Sequence, residues 1–312
     1  MEQDMHQQIV SFGEALVDVL PSGEVVGGAP LNVATRAAEL CSLTDARTAL
    51  VTRIGSEHRG ETILEQLKQV AASHPLDLST VQVDPHLETG FVNVELNDGQ
   101  PEYSIGEHVA WDNIRWDDSI AKLATMTNVL SFGSLALRSA TTRETLLQLA
   151  SHLPGAQLVF DINLRNPLPD QETVLQSLSI CHILKCNEDE LQVLADWLEF
   201  SESDATEIAH VLQERFGLQA VFWTRGSDGC QWQVGRDVIH GEVPQLTASE
   251  NADSVGAGDA ASAALLVGLV AGWNPKQIID IANLCGAHAA TSRGPTVPIS
   301  GEVIARIKTL LH

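Results

Sequence analysis

The sequence predicts an α/β fold in which helices cover both faces of a mainly parallel central sheet, with a small β layer outside it. Strand-like and helix-like segments alternate from about residue 128 onward, whereas the segment from Thr80 to Trp111 includes shorter stretches with period two, such as Phe91–Leu96. The chain has 312 residues, 44% of them hydrophobic, which is enough for one large domain with a sizeable core.

The alternating part of the chain supports the parallel sheet element by element. Short apolar strands of three to five residues alternate with segments of helical periodicity, and that order is typical of parallel strands joined by crossover helices. The predicted elements are strand Asn128–Phe132, helix Thr141–Leu153, strand Leu158–Ile162, strand His182–Leu184, helix Glu188–Leu198, helix 208–216 and strand Ala220–Trp223.

Two other segments predict the small β layer. Residues Phe91 to Leu96 alternate with period two and lead into Asn97-Asp98-Gly99, a combination typical of a β-hairpin. A second strand-like stretch, Leu16–Val26, lies between Gly13 and the pair Gly27-Gly28. We expect these two segments to pair outside the main sheet.

The composition of the chain limits the kinds of molecule that we expect it to bind. The chain carries 18 basic and 41 acidic residues, a net charge of −23, so that its surface repels nucleic acids and anionic membranes. The N-terminal stretch lacks the features of a signal peptide, and the apolar run Ala260–Ala271 is too short to span a bilayer. Five scattered cysteines are expected to be reduced, mostly buried thiols in a cytoplasmic protein.

The first motif with chemical meaning is Asp253-Ser254-Val255-Gly256-Ala257-Gly258-Asp259, which runs into the helix predicted over Ala260–Ala271. Small residues allow a ligand to approach the backbone closely, and the N–H groups of a new helix favour an anion. Asp259 is placed to act as a base beside a bound phosphate. Alternatively, Asp259 is simply the N-cap of the helix after a glycine turn. The motif is neither a Walker loop nor a dinucleotide-binding fingerprint.

The second motif is Gly27-Gly28-Ala29-Pro30-Leu31-Asn32, ahead of a helix predicted over Val33–Leu40. Paired glycines are typical of a hinge or of a close approach to a ligand, and the Asn32 amide is suited to bind a hydroxyl group. The alternative is a plain turn with Asn32 as a helix cap.

Together the two motifs resemble the two signature regions of the ribokinase-like (PfkB) carbohydrate kinases, and the resemblance extends from Phe12 to Gly294. It implies a single ribokinase-like kinase domain over residues 1–312, with a lid formed by about residues 16–27 and 88–111. It also implies ATP-dependent phosphorylation of a sugar hydroxyl in the cleft under the lid. A non-catalytic sugar-binding regulator on the same scaffold is the rival class, and the intact Asp259 and glycine loop argue against it.

The resemblance also implies roles for individual residues. Asp259 is the expected catalytic base, helped by the backbone of Gly256, Ala257 and Gly258. Asp161-Ile162-Asn163-Leu164-Arg165 resembles a motif of fructokinase-like members, although the residues after it differ from the family's usual ones. The expected sugar-binding residues are Asp18, Gly27, Gly28, Asn32, Arg165 and Asp259.

Other positions match the nucleotide and metal sites of the family. Asn187 and Glu190 are expected to bind Mg²⁺ near the phosphates, but their spacing also predicts a helix capping box, and the two roles are compatible. The expected nucleotide-binding residues are Lys185, Asn187, Thr224, Gly226, Gly229 and Asn283. The expected ligands of a monovalent cation, K⁺, are Asp253, Val255, Ala289, Ser292, Gly294 and Thr296. For Trp111, stacking on a sugar ring and a structural role remain open.

The sequence determines the identity of the sugar acceptor less well than it determines the reaction. Ala29 stands where ribokinase-type members typically have lysine and 2-keto-3-deoxygluconate kinases often have aspartate. Together with the Asp161–Arg165 motif, this resemblance favours fructose, with 2-keto-3-deoxygluconate, ribose or a nucleoside as alternatives. We also expect a homodimer formed through the lid, because a hairpin edge invites pairing with another chain.

Overall fold

The computed structural model describes residues 7–20, 23–97, 100–166, 168–201, 204–249, 252–292, 294 and 296–312. The strands are β1 Gln8–Phe12, β2 Leu16–Leu20, β3 Gly23–Gly27, β4 Arg47–Gly55, β5 Leu76–Asp77, β6 Val81–Asp84, β7 Gly90–Asn97, β8 Gln100–Ile105, β9 Thr127–Gly133, β10 Gln157–Asp161, β11 Ile183–Asn187, β12 Ala220–Thr224, β13 Cys230–Val234 and β14 Asp237–His240. The helices are α1 Ala29–Cys41, α2 His58–Ala71, α3 Asp118–Ala124, α4 Ala140–Ser151, α5 Gln171–Ile180, α6 Glu188–Trp197, α7 Ala205–Phe216, α8 Ala257–Ala271, α9 Pro275–Ala290 and α10 Gly301–Leu311.

The central sheet confirms the predicted mainly parallel arrangement. Its strand order is β14-β13-β12-β11-β10-β9-β1-β4-β5, and β6 also pairs with β4. The pairs from β12 through β1 to β4 are parallel, while β13 and β14 are antiparallel. Both faces are buried: Val159 and Phe160 are neighbours on β10, yet each packs into a different hydrophobic cluster on opposite sides of the sheet. This burial explains why the strands read as continuous apolar runs.

A second sheet of four strands, here called the lid sheet, has the order β3-β2-β7-β8. The β2–β3 and β7–β8 pairs are antiparallel, and β2 pairs with β7 in parallel. Asn97 pairs with Gln100, as expected for a hairpin, although the turn residues 98 and 99 lie outside the described residues. The second lid segment ends at Ile105 rather than near Trp111, because Trp111 belongs to the main core.

Two helices carry the two glycine motifs toward each other. α1 and α8 pack together through small side chains, among them Ala37, Ala260 and Ala264. Both helices begin earlier than predicted, α1 at Ala29 and α8 at Ala257, because the glycine before each takes up the change of backbone direction. The starts of these two helices therefore lie side by side.

The sequence also led us to expect no membrane-spanning helix and mostly buried cysteine thiols. Among the described residues, none of the helices combines the length and apolar character needed to cross a bilayer. All five cysteines are buried free thiols. Burial raises the pKa of the Cys230 and Cys285 thiols to about 12, so that neither is a reactive thiolate.

Candidate functional site

A cleft of about 720 Å³ opens between the lid sheet and the starts of α1 and α8. Its lining includes many of the residues expected from sequence, namely Asp18, Gly28, Asn32, Arg165, Lys185, Asp253, Val255, Gly256, Gly258, Asp259 and Gly294. Gly27 and Ala257 are chain neighbours of this lining. Nine of the expected nucleotide and metal residues are not part of this lining, namely Asn187, Glu190, Thr224, Gly226, Gly229, Asn283, Ala289, Ser292 and Thr296.

Asp259 lies in the first turn of α8, where the backbone N–H groups have no partner within the helix. Gly256 precedes this turn with a φ of 80°, a left-handed conformation that favours glycine. Asn32 Nδ2 donates a 2.8 Å hydrogen bond to Asp259 Oδ2. Burial raises the pKa of the Asp259 carboxyl, and the bond from Asn32 opposes that rise.

The plain-cap alternatives for the two motifs are wrong. The N-caps of α1 and α8 are Gly28 and Gly256, and neither helix has a side-chain cap. Asn32 and Asp259 each follow the helix start, and their side chains bond to each other. Neither side chain caps its helix, and both residues line the cleft.

Other atoms lie close to both glycines of the Gly27-Gly28 pair, and close packing requires glycine at Gly28. A Cβ atom on Gly27 would lie 2.9 Å from Asp18 Oδ2, and one on Gly28 would lie 2.6 Å from the Glu14 carbonyl oxygen. Gly28 also has a φ of 106°, which a residue with a side chain rarely adopts. The pair therefore lets β1, β2 and the start of α1 meet at one edge of the cleft.

Lys185 at the end of β11 forms a buried ion pair with Asp161 at the end of β10, with 3.0 Å between Nζ and Oδ1. Ser262 on α8 donates to the other Asp161 oxygen at 2.9 Å. Burial acts to lower the pKa of Lys185, but Asp161 and Glu190 raise it well above its usual value. Lys185 is therefore a fixed positive charge beside the backbone of Gly258, where a Cβ atom would lie 3.5 Å from Nζ.

The predicted capping box at the start of α6 is confirmed. Glu190 N donates to Asn187 Oδ1 at 2.8 Å, and Asn187 N donates to Glu190 Oε2 at 2.9 Å. Glu190 Oε1 also accepts from Leu164 N at 2.8 Å, which ties α6 to the Asp161–Arg165 segment. Burial raises the pKa of Glu190, and Lys185 opposes that rise. Among the described residues, no group of three or more His, Cys, Asp and Glu side chains is arranged to hold a metal ion.

The Asp161–Arg165 segment crosses the cleft between the sheet and the lid. Asn163 has a φ of 40°, a left-handed conformation that asparagine tolerates better than most residues. The Arg165 side chain is exposed in the cleft, and its charge lowers the pKa values of Glu14, Asp18 and Asp259 against the larger effect of burial. Arg165 thus supplies positive charge to the carboxylates around it.

On α9, which packs against α8, Asn283 fixes the turn that follows β12. Its Oδ1 accepts from Cys230 N at 2.7 Å, and its Nδ2 donates to the Glu242 carbonyl at 3.0 Å. A Cβ atom on Gly229 would lie 2.8 Å from Asn283 Oδ1, so glycine is needed there. Asn283 is only 4% exposed, and its amide is committed to protein partners. Thr224 and Gly226 lie at the start of the same turn.

Most of the expected cation ligands come together around Asp253. Its carboxylate accepts from Val255 N at 3.1 Å and from Gly294 N at 3.2 Å, and its N–H donates to the Ser292 carbonyl at 3.0 Å. Ser292 N in turn donates to the Ala289 carbonyl at 3.0 Å. Thr296 is held differently, since its hydroxyl accepts from Gln66 Nε2 on α2 at 3.3 Å.

The positions of two residues differ from what the sequence led us to expect. Trp111 is fully buried under the Arg138 guanidinium, which lies 4.0 Å from the ring centroid, so stacking on a sugar is wrong and the structural role is correct. Glu14, which carried no expected role, lines the cleft at 3% exposure, and burial raises its pKa to about 7. Its position directly after β1, a central parallel strand, was the available signal, because such strand ends face ligand sites.

Comparison with known proteins agrees with this geometry. The family model described as pfkB family carbohydrate kinase matches residues 8–300. Fructokinase-2 of Zea mays is 28% identical over 332 residues, covering 96% of this chain and 94% of the relative. The structure of a sugar kinase of Pyrococcus horikoshii in complex with ATP matches with a TM-score of 0.78 and 25% identity, over 97% of this chain and 99% of that one.

A double mutant of fructokinase from Vibrio cholerae, solved with fructose, ADP and a potassium ion bound, has the same fold. Its TM-score is 0.77 at 22% identity, and the match covers 100% of both chains. The family match spans nearly the whole chain and includes both glycine motifs, the cleft and the lid sheet. This chain therefore belongs to the pfkB family of carbohydrate kinases.

Proposed function

We propose that this protein transfers the γ-phosphoryl group of ATP to a hydroxyl group of a sugar, and that fructose is the preferred acceptor, giving fructose 6-phosphate. The observation that carries the proposal is the Asp259 carboxylate, held by Asn32 at the start of α8 and open to the cleft under the lid sheet. A carboxylate at a helix start combines a base with N–H groups that favour an anion.

In the mechanism that we propose, Asp259 accepts the proton of the acceptor hydroxyl while the phosphoryl group transfers in line. Backbone N–H groups of Gly256, Ala257 and Gly258 donate to the charge that develops on the phosphoryl oxygens. Ala257 N makes only a long 3.3 Å bond to the Ser254 carbonyl, which is readily exchanged for a ligand oxygen. Asp18, Asn32 and Arg165 orient the sugar, and closure of the lid sheet at Gly27-Gly28 excludes water.

The residues present fit ATP and its ions. Lys185 is a fixed cation beside the anion loop, and the turn through Thr224, Gly226 and Gly229, braced by Asn283, would border the nucleotide. Asn187 and Glu190 would hold Mg²⁺ through water, because their side-chain oxygens already bind backbone N–H groups. Bound Mg²⁺ would neutralise phosphate charge.

A K⁺ site beside the anion loop is also part of this proposal. Hydrogen bonds to Asp253 already hold Val255, Ser292 and Gly294 close together. Ala289 joins it through the Ser292 bond, whereas Thr296 would have to leave Gln66 to contribute. The potassium-bound relative from Vibrio cholerae supports the idea by analogy of fold.

Charge in the cleft supports a neutral acceptor. Carboxyl groups of Glu14, Asp18, Asp253 and Asp259 line it, against the two cations Arg165 and Lys185. Lys185 is paired with Asp161, so Arg165 is the cation that remains for an acidic sugar among the described lining residues. Ala29 adds no charge. These features favour fructose over 2-keto-3-deoxygluconate, and the named fructokinase relative points the same way.

The test is an ADP-release assay across neutral and acidic sugars at fixed Mg²⁺ and K⁺. We expect fructose to give a higher kcat/KM than ribose, a nucleoside or 2-keto-3-deoxygluconate. A tenfold preference for one of these rivals would overturn fructose but keep the kinase. Sugar binding without ADP release would instead favour the non-catalytic regulator. We expect the protein to work in the cytoplasm, where ATP is plentiful.

A further inference from the structure

Two buried oxygen atoms in the cleft have no hydrogen-bond partner among the described residues. They are Glu14 Oε2 and Asn32 Oδ1, and both residues line the cleft beside Asp259. A buried polar atom without a partner costs free energy, and the great majority of such atoms in folded proteins are paired. Two unpaired atoms on residues that line one cavity indicate a ligand with several hydrogen-bonding groups, which would reach them as the cleft adjusts around it.

The Glu14 side chain is held in place by its surroundings. Glu14 follows β1, and its carbonyl oxygen lies close to Gly28. Its carboxyl group interacts with the backbone N–H groups of Glu14 itself and of Ala29 at the start of α1. The other carboxyl oxygen is left over. Glu14 therefore presents one oxygen at a fixed position in the wall of the cleft.

The charged groups around Glu14 also suit this role. Arg165 faces it from the Asp161–Arg165 segment and Asp259 faces it from α8, with opposite effects on its ionisation. A carboxyl group that is partly protonated near neutral pH is able to donate as well as accept a hydrogen bond. A sugar hydroxyl has the same two capacities, whereas a second full negative charge next to the base would repel the phosphoryl group.

We propose that Glu14 is a further substrate-binding residue, which hydrogen-bonds through Oε2 to a hydroxyl group of the acceptor other than the one that Asp259 activates. This inference rests on the proposed function, since it takes the ligand of the cleft to be a polyhydroxylated sugar. Glu14 and Asn32 would then select acceptors that carry hydroxyl groups at two further positions.

The experiment compares the parent with Glu14→Met, which has similar length and no polar oxygen, using the preferred sugar and its monodeoxy analogues. We expect Glu14→Met to lower kcat/KM about 10- to 100-fold for the full sugar, as for loss of a buried hydrogen bond. With one monodeoxy analogue the parent and the variant should agree within about twofold. Glu14→Gln, which keeps an oxygen and a donor, should restore most of the loss.

A purely structural Glu14 gives a different pattern, in which the loss is the same for every analogue, and that result would overturn the proposal. Glu57→Met is the matched control, because Glu57 is also a carboxylate at a helix start, where it accepts from Thr89 N outside the cleft. It should leave kcat/KM unchanged. Should Glu14→Met not fold, Glu14→Asp provides the same comparison, since it withdraws the carboxyl group by one methylene.

Failure of the proposed function gives a separate result. If the parent phosphorylates no sugar, calorimetric binding of the same sugars decides the role of Glu14. The proposal is supported if Glu14→Met binds the full sugar more weakly than the parent does, while the two proteins bind one deoxy analogue equally well. Equal binding of the full sugar by parent and variant overturns it. A parent that binds no sugar overturns both proposals.

Discussion

Asn32 Nδ2 and Asp259 Oδ2 lie 2.8 Å apart, although the two residues are separated by 227 positions in the chain. The bond joins the first turns of α1 and α8, which are the two helices that follow the glycine motifs. It orients one carboxylate oxygen and favours the ionised form of Asp259, while burial favours the neutral form. The proposed base is thus tuned by a residue next to the proposed hinge.

The first prediction concerns that bond. Asn32→Ala removes a hydrogen bond to the ionised carboxylate, so the pKa of Asp259 should rise further. A base must be ionised to work, and the acid limb of kcat/KM against pH should therefore move to higher pH. Thr35→Ala is the control on the same helix, because its hydroxyl bonds only to the Leu31 and Asn32 carbonyls. An acid limb that stays in place would contradict the assignment.

The second prediction concerns Asp259 itself. Asp259→Asn keeps the shape of the side chain but removes the base, and kcat should fall about 10²- to 10⁴-fold. Binding of ATP, measured by calorimetry, should remain close to that of the parent. Asp204→Asn is the control, since Asp204 caps α7 and lies outside the cleft lining. A kcat within a few-fold of the parent would show that another group is the base.

The third prediction concerns the buried pair of Lys185 and Asp161. Lys185→Met leaves the Asp161 carboxylate without its 3.0 Å partner, and the free energy of unfolding should fall by about 3–5 kcal/mol. The double variant Lys185→Met with Asp161→Asn should lose less, because no uncompensated charge is left. Urea denaturation measures both. Losses that simply add would indicate that the pair is not coupled.

The fourth prediction concerns pH and Glu14. Burial raises its pKa from 4.5 to about 7 in the folded protein, so its favourable contribution is complete below pH 4.5 and is lost as the pH rises through 7. Glu14→Gln does not titrate. Relative to the parent, it should gain about 3 kcal/mol in unfolding free energy between pH 4.5 and pH 8.

Glu57→Gln is the control for this pH series. Burial acts to raise the pKa of Glu57, but hydrogen bonds with Thr89 and with the backbone of Glu57 and Gly60 together lower it in the folded protein. Its contribution is therefore constant above its unfolded pKa of 4.5, so the difference between Glu57→Gln and the parent should stay level between pH 4.5 and pH 8 and change only below that range. A Glu14→Gln difference that does not depend on pH would contradict the raised pKa.

The fifth prediction concerns assembly. The edges of the lid sheet are β3 and β8, and their outer backbone groups are open to pairing with a second chain. We expect a homodimer formed through this sheet. Light scattering over a concentration series should give a mass near twice 33.6 kDa. A mass of one chain at high concentration would count against it.

Local patterns in the sequence predicted β7 and the strands from β9 to β12, but not β1 or β4 of the central sheet. The apolar runs of β9 to β12 and the alternating residues of β7 predict their strands because burial on two faces or on one leaves a direct trace in the sequence. The proximity of Asn32 and Asp259 followed from family resemblance, since no local pattern links residues so far apart. Burial of Trp111 and the partners of Asn283 depend on tertiary packing, and so does the unpaired oxygen of Glu14.

The order of strands in the lid sheet has a consequence for how the protein folds. β2 and β7 pair in parallel, with Leu16 opposite Gly90, and α1, β4 and α2 all lie between them in the chain. Closing so long a loop is entropically costly until the intervening elements are in place. The lid sheet should therefore form late in folding and open early in local unfolding. The sheet that we propose to cover the substrate would then open without unfolding of the main sheet.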